Sequence, residues 1–155
     1  MKQRQQKKPS RRLFEAVLAV TPRAKELLRG GPSPERRNGD GTTPLYLASV
    51  QGEAETARLL VEAGASPDTE SSGLGSEGTP LCAAACWGHT ETIRQLSAHG
   101  AGPHLREDHG AGKSPLDWAN NGPHPDAAET LRAAGARPTT HPAPWPAGSR
   151  RVPHQ

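Results

Sequence analysis

Cys82, Cys86 and His89 stand four and three residues apart, intervals that place all three along one side of a continuous helix. Thiolate and imidazole are the ligand types of a zinc site, so a metal is the first chemistry this spacing suggests. A second cluster, His99, His104 and His109, surrounds the polar stretch Leu105 to Lys113. That stretch runs into Gly110-Ala111-Gly112-Lys113-Ser114, which ends as a phosphate-binding loop does. The Gly-x-x-x-x-Gly-Lys-Ser spacing would need glycine at position 107 and a hydrophobic strand before it, and position 107 is Glu. Seven histidines allow many Ser-His-Asp combinations, yet the chain has no strained nucleophile turn of the G-x-S-x-G kind. No catalytic residue and no cofactor is therefore assigned.

The elements that would have to position these residues repeat along the chain. Thr43-Pro44-Leu45, Thr79-Pro80-Leu81 and Ser114-Pro115-Leu116 are separated by Pro-to-Pro steps of 36 and 35 residues, and each is followed by Ala-rich sequence. Periods of this size mark stacked repeats. Seven residues after each Leu comes Gly52, Gly88 or, in the last copy, Pro123, so the register is fixed without gaps. In each copy a hydroxyl caps a helix and the proline takes a first-turn position that needs no amide donor. Leu45, Ala48 and Ser49, like Leu81, Ala84 and Ala85, then place small and apolar groups on one face, where neighbouring helices approach closely. Gly52 and Gly88 end that first helix, and Gly64, Gly100 and Gly135 end the second.

Gly78-Thr79-Pro80-Leu81-Cys82-Ala83-Ala84-Ala85-Cys86-Trp87-Gly88-His89, followed by Glu91 to Leu96 and Gly100-Ala101, resembles an ankyrin repeat, whose signature is T-P-L-H-x-A. Gly52 to Ala65 is similar to the family's second helix and its Gly-Ala exit. A weaker copy precedes it, Leu13 to Ala19 and Ala24 to Gly31, without the Thr-Pro-Leu start, as befits an N-terminal cap. The resemblance implies an all-α ankyrin repeat solenoid of stacked helix-turn-helix units with hairpin-like finger loops. The domain is expected over residues 12–137, with a degenerate cap at 12–40 and repeats at about 41–77, 78–112 and 113–137. In this frame Cys82 replaces the His of T-P-L-H, Cys86 takes a variable inner-helix position and His89 is the ordinary His of the Gly-His turn. No metal residue is assigned on that basis, and two cysteines so close on one helix are poor disulfide partners.

Aromatic residues make up 3% and hydrophobic residues 32% of the chain, too little for a bulky core but workable for a thin Ala/Leu solenoid. No stretch approaches the length of a membrane helix, and no signal-type apolar run precedes Leu13. A soluble intracellular protein, cytoplasmic or nuclear, is expected. Residues 1–12 carry six basic side chains and residues 137–155 carry three, neither with an acid, so against +3 overall the middle carries −6. The basic arm at 1–11 is compatible with an import signal or a weak nucleic-acid contact, though charge runs are more often a solvated tail. The Pro-rich tail at 138–155 reads as disordered.

What is left is binding. By the resemblance, contact falls on loop tips and on the concave face of the inner helices, which points to Val50, Gln51, Cys86, Trp87 and Asn121, with Leu74 on a long finger. Trp87 stands out, because an exposed Trp on a rigid helix is a typical anchor; folding over the neighbouring glycine and burial between repeats is the competing reading. Trp118 is expected to pack in the core. Two fingers are long, 14 residues from Ala65 to Thr79 and 13 from Ala101 to Ser114, where roughly ten suffice. Thr92, Gln95 and Ser97 stand where the family has aliphatics and should weaken one outer helix. The chain reads as a non-enzymatic, monomeric protein-interaction module with another protein as partner and no nucleic-acid or membrane partner. The alternatives are a nuclear regulator using its basic arm and a substrate-recognition subunit of a ubiquitin ligase.

Overall fold

The computed structural model describes residues 11–13, 15–17, 23–29, 33–73 and 76–138. The expectations for residues 1–10, for Leu74 and for the tail beyond Pro138 lie outside these. Within them the regular secondary structure is helical apart from two three-residue strands. Helix α1 covers residues 11–13 and 15–17. It is followed by α2 (Arg23–Arg29), α3 (Pro44–Gln51), α4 (Ala54–Glu62), α5 (Pro80–Cys86), α6 (Thr90–Ala98), α7 (Pro115–Asn121) and α8 (Pro125–Ala133). Each odd-numbered helix from α3 onward turns back into the next even one. Inner helices pack on inner helices (α3 on α5, α5 on α7) and outer on outer (α2 on α4, α4 on α6, α6 on α8). The stack has two layers and grows by one hairpin at a time.

Capping explains why each inner helix starts where it does. The side-chain oxygens of Thr43, Thr79 and Ser114 accept from the backbone N–H of Tyr46, Cys82 and Asp117, each at 3.2 Å. Asp117 answers by accepting from the Ser114 N–H at 3.0 Å, completing a capping box. Such a cap contributes about 1 kcal/mol, enough to matter for helices of seven or eight residues that are too short to hold alone. Gly52 and Gly88 terminate α3 and the α5 turn with φ of +73°. In the last repeat the chain leaves differently: Gly122 is extended (φ −93°, ψ 167°) because Pro123 follows and excludes helical backbone before it.

The core is two columns of leucine with alanine between them. Leu13, Leu45, Leu81 and Leu116 hold equivalent places on the inner helices, and Leu60, Leu96 and Leu131 on the outer ones; all are buried to within 1%. Ala48, Ala84 and Ala119 fill the inner contact at one residue per repeat, where a larger side chain would push the helices apart. Ala65, Ala101 and Ala136 bury the exits of the outer helices. Each fully buried Leu contributes about 2 kcal/mol, and because its neighbours belong to adjacent repeats the units stabilise one another. Of the polar residues expected to weaken one outer helix, Thr92 is fully buried in α6 and its Oγ1 has no hydrogen-bond partner among the described residues.

The fingers are tied across repeats by carboxylates. Glu35 Oε1 accepts from the Ser66 N–H at 2.6 Å and from Thr69 Oγ1 at 3.2 Å, and one repeat later Asp68 Oδ1 accepts from the Gly102 N–H at 2.8 Å. The first long finger forms an antiparallel hairpin, β1 (Ser71–Gly73) with β2 (Ser76–Gly78), Ser71 opposite Gly78. Ser71 Oγ accepts from the Thr43 N–H at 3.0 Å and the Ser72 N–H reaches the Gly41 carbonyl at 3.2 Å, so the hairpin is seated on the finger before it. The second long finger instead closes in a 3-10 turn at Asp108–Gly110, with Asp108 and His109 both at positive φ (53° and 51°).

Candidate functional site

The residues with chemical potential do not converge. Cys82 is buried and its Sγ faces the following finger, 3.7 Å from both the Leu105 and the Lys113 carbonyl oxygens. His89 turns the other way, its Nε2 2.9 Å from the Val50 carbonyl oxygen of the preceding repeat. Among the described residues no group of three His, Cys, Asp or Glu side chains is placed to hold a metal ion. Burial pushes the Cys82 thiol up to about 11, with Glu107 adding to the shift, and burial first and Glu107 second also raise the half-buried Cys86. Both thiols are therefore protonated at neutral pH and poor nucleophiles.

The array instead makes a groove of about 1040 Å³ between the inner helices and the fingers. Its floor comes from side chains at the fingerward and C-terminal parts of the inner helices: Tyr46 on α3, Cys82, Ala83 and Cys86 on α5, and Trp118 on α7. Trp87 closes α5 and stands at the edge of this floor, 60% exposed. It is not packed between repeats. Its backbone is held by the bond from its N–H to the Ala83 carbonyl at 3.3 Å, so the ring is presented from a fixed point. Trp118 does pack partly against the core, as expected, but it also lines the groove, with Lys113 Nζ 4.4 Å from its ring centroid.

The opposite wall is polar. Arg37 is engaged at home, donating from Nη1 to the Gly41 carbonyl at 3.1 Å and to Ser72 Oγ at 3.2 Å. Glu70 receives the His109 N–H at 3.3 Å and lies 3.0 Å from His109 Nδ1, which braces the second finger against the first. Glu107 and Asp108 also line the groove, and neither makes an ion pair among the described residues.

Of the residues expected to contact a partner, the groove brings together Cys86 and Trp87. Val50 and Gln51 end α3 half-buried and outside its lining, with the Val50 carbonyl taken by His89; Asn121 is exposed at the end of α7, also outside the lining. Tyr46, Trp118, Glu70 and His109 also line the groove, beyond the contacts expected from the sequence. For Tyr46 a signal existed, since it directly follows the first Leu of its helix just as Cys82 does; for Glu70 and His109 the pairing spans 39 residues and only the fold makes it.

No helix among the described residues is long and apolar enough to cross a membrane. No curated protein matches the chain closely enough to count as a relative. Residues 13–105 match the family model described as ankyrin repeats (3 copies), a span that begins in the cap lacking Thr-Pro-Leu. The fourth hairpin, α7 and α8, lies beyond that match and yet stacks on α5 and α6 in the same way. With more than half its length matched, the chain belongs to the ankyrin repeat family.

Proposed function

We propose that this chain is a non-enzymatic adaptor that binds another protein through the concave groove, with Trp87 as its anchor. Ankyrin repeats are generally protein–protein interaction modules, and the local chemistry agrees. The observation that carries the reading is a tryptophan left 60% exposed at the rim of a groove whose floor also holds Tyr46 and Trp118. Aromatic side chains on a rigid support dominate binding energy at interfaces because they lose little entropy and cover much area. The raised thiol pKa values and the divergence of Cys82 from His89 support a binding role over a catalytic one. A monomer acting inside the cell is part of the same proposal.

The test is affinity capture from cell extract with the tagged full chain and with Trp87→Ala, read by mass spectrometry. Proteins retained by the native chain and lost with the variant are expected. An unchanged set, with the variant's melting also unchanged, would remove the groove as the binding surface.

A further inference from the structure

We infer that the groove takes an extended segment of another protein carrying Arg or Lys, its cationic head held between the Trp87 ring and the carboxylates of Glu107 and Asp108. This rests on the adaptor reading above and specifies the chemistry of its partner. Three observations point the same way. The first is charge: the lining carries Glu70, Glu107 and Asp108 against Arg37, and Arg37 is committed to Gly41 and Ser72, the neighbouring Lys113 lies over the Trp118 ring, and Glu70 is committed to His109. That leaves Glu107 and Asp108 without an ion pair among the described residues, facing a space open to solvent. The second is the aromatic pattern. Lys113 already lies over Trp118 at 4.4 Å, a cation held on one of the aromatic rings that line this groove, whereas Trp87 is 60% exposed. The third is shape, because the cleft runs across three inner helices, from Tyr46 on α3 to Trp118 on α7, and along both long fingers, which suits a length of chain.

The physical reasons for a cation are additive. An ammonium or guanidinium over an indole face gains from the ring quadrupole, more so as water is excluded. Carboxylates lining the same groove add attraction, and they steer encounter from a distance in a way that salt suppresses. An acidic segment would meet repulsion from Glu107 and Asp108 and gain nothing from Trp87. The partner is thus selected by sign as well as by shape.

The experiment is a fluorescence-anisotropy titration of the full chain with a fluorescein-labelled peptide of alternating arginine and proline, and with the same peptide carrying glutamate for arginine. Saturable binding of the arginine peptide alone is expected, weakening as salt rises. Trp87→Ala should weaken it about 30-fold and the pair Glu107→Gln, Asp108→Asn about 10-fold. Asn tolerates the positive φ of residue 108, so this pair leaves the turn intact. The control pair Asp126→Asn, Glu129→Gln, on the cleft between α6 and α8, should change nothing. No binding, equal binding of both peptides, or equal loss with the control pair would overturn the inference. Should partner capture depend on Trp87 while the arginine peptide fails to bind, the adaptor reading stands and this one falls. Replacing Lys2, Arg4, Lys7 and Lys8 by Gln should leave peptide affinity unchanged. A several-fold tightening would instead make the chain's own arm the occupant and overturn the assignment to a partner protein.

Discussion

The His89 imidazole lies across Gly52 of the preceding repeat: its Nε2 is 2.9 Å from the Val50 carbonyl oxygen, and its Nδ1 is 2.6 Å from where a β-carbon on Gly52 would stand. A carbonyl only accepts, so Nε2 carries the proton and the ring is fixed in that tautomer. The same seat recurs one repeat on, where His124 Nδ1 is 2.5 Å from where a β-carbon on Gly88 would stand. One imidazole thus clamps the turn of the unit before it, and the glycine is required twice, for its positive φ and for the space.

Gly52→Ala should therefore destabilise the chain by about 1–3 kcal/mol, combining left-handed strain with eviction of the imidazole. Urea denaturation of Gly52→Ala, His89→Ala and the double variant separates the two causes. If the clash matters, the double variant costs less than the two single changes together, since Ala at 89 vacates the space.

Thr92→Val should raise stability by about 1 kcal/mol. Thr92 is fully buried in α6 and its hydroxyl has no partner among the described residues, so exchanging it for a methyl removes a desolvated polar group without changing shape. A melting temperature lower than that of the native chain would mean that the hydroxyl is satisfied after all.

Trp87→Ala should shift unfolding free energy by less than about 1 kcal/mol, because the ring is mostly in solvent. Leu96→Ala in the adjacent outer helix should cost about 2–5 kcal/mol through loss of a fully buried side chain. Chemical denaturation of both variants side by side checks the contrast. A Trp87→Ala loss comparable to that of Leu96→Ala would place the ring in the core.

The two thiols should differ in reactivity. Cys82 is buried, with its pKa raised to about 11, whereas Cys86 is only half-buried and shifted in the same direction. Timed alkylation at pH 8 followed by peptide mapping is expected to label Cys86 well before Cys82. The sign of the linkage follows. A thiol whose folded pKa lies above its unfolded value of 9.0 favours the folded state while neutral, so its contribution is complete below pH 9 and is lost as pH rises through about 11. Cys82→Ala should flatten that alkaline decline.

Local chemistry was enough to read the repeats. Thr43, Thr79 and Ser114 cap helices because a hydroxyl before Pro can do little else at that spacing, and Leu45, Leu81 and Leu116 are buried because a period of 35 or 36 residues returns them to the same face. Those are short-range rules, legible one unit at a time. The burial of Thr92 in α6 was legible too, since it stands at a position that the repeat register sends inward. The groove was legible only in part. Trp87 could be seen to end a helix, but whether its ring faces solvent or a neighbouring repeat depends on what the next unit places beside it. Glu70 and His109 are 39 residues apart, and their contact arises only when two long fingers, one a hairpin and one a strained turn, are brought side by side by the stacking of α5 on α7. Sequence by itself determined the helices, their caps and the buried columns, because these follow from residue type and spacing. Tertiary structure alone decided which side chains share the concave surface and which carboxylates are left without an ion pair among the described residues, because those depend on the geometry between repeats.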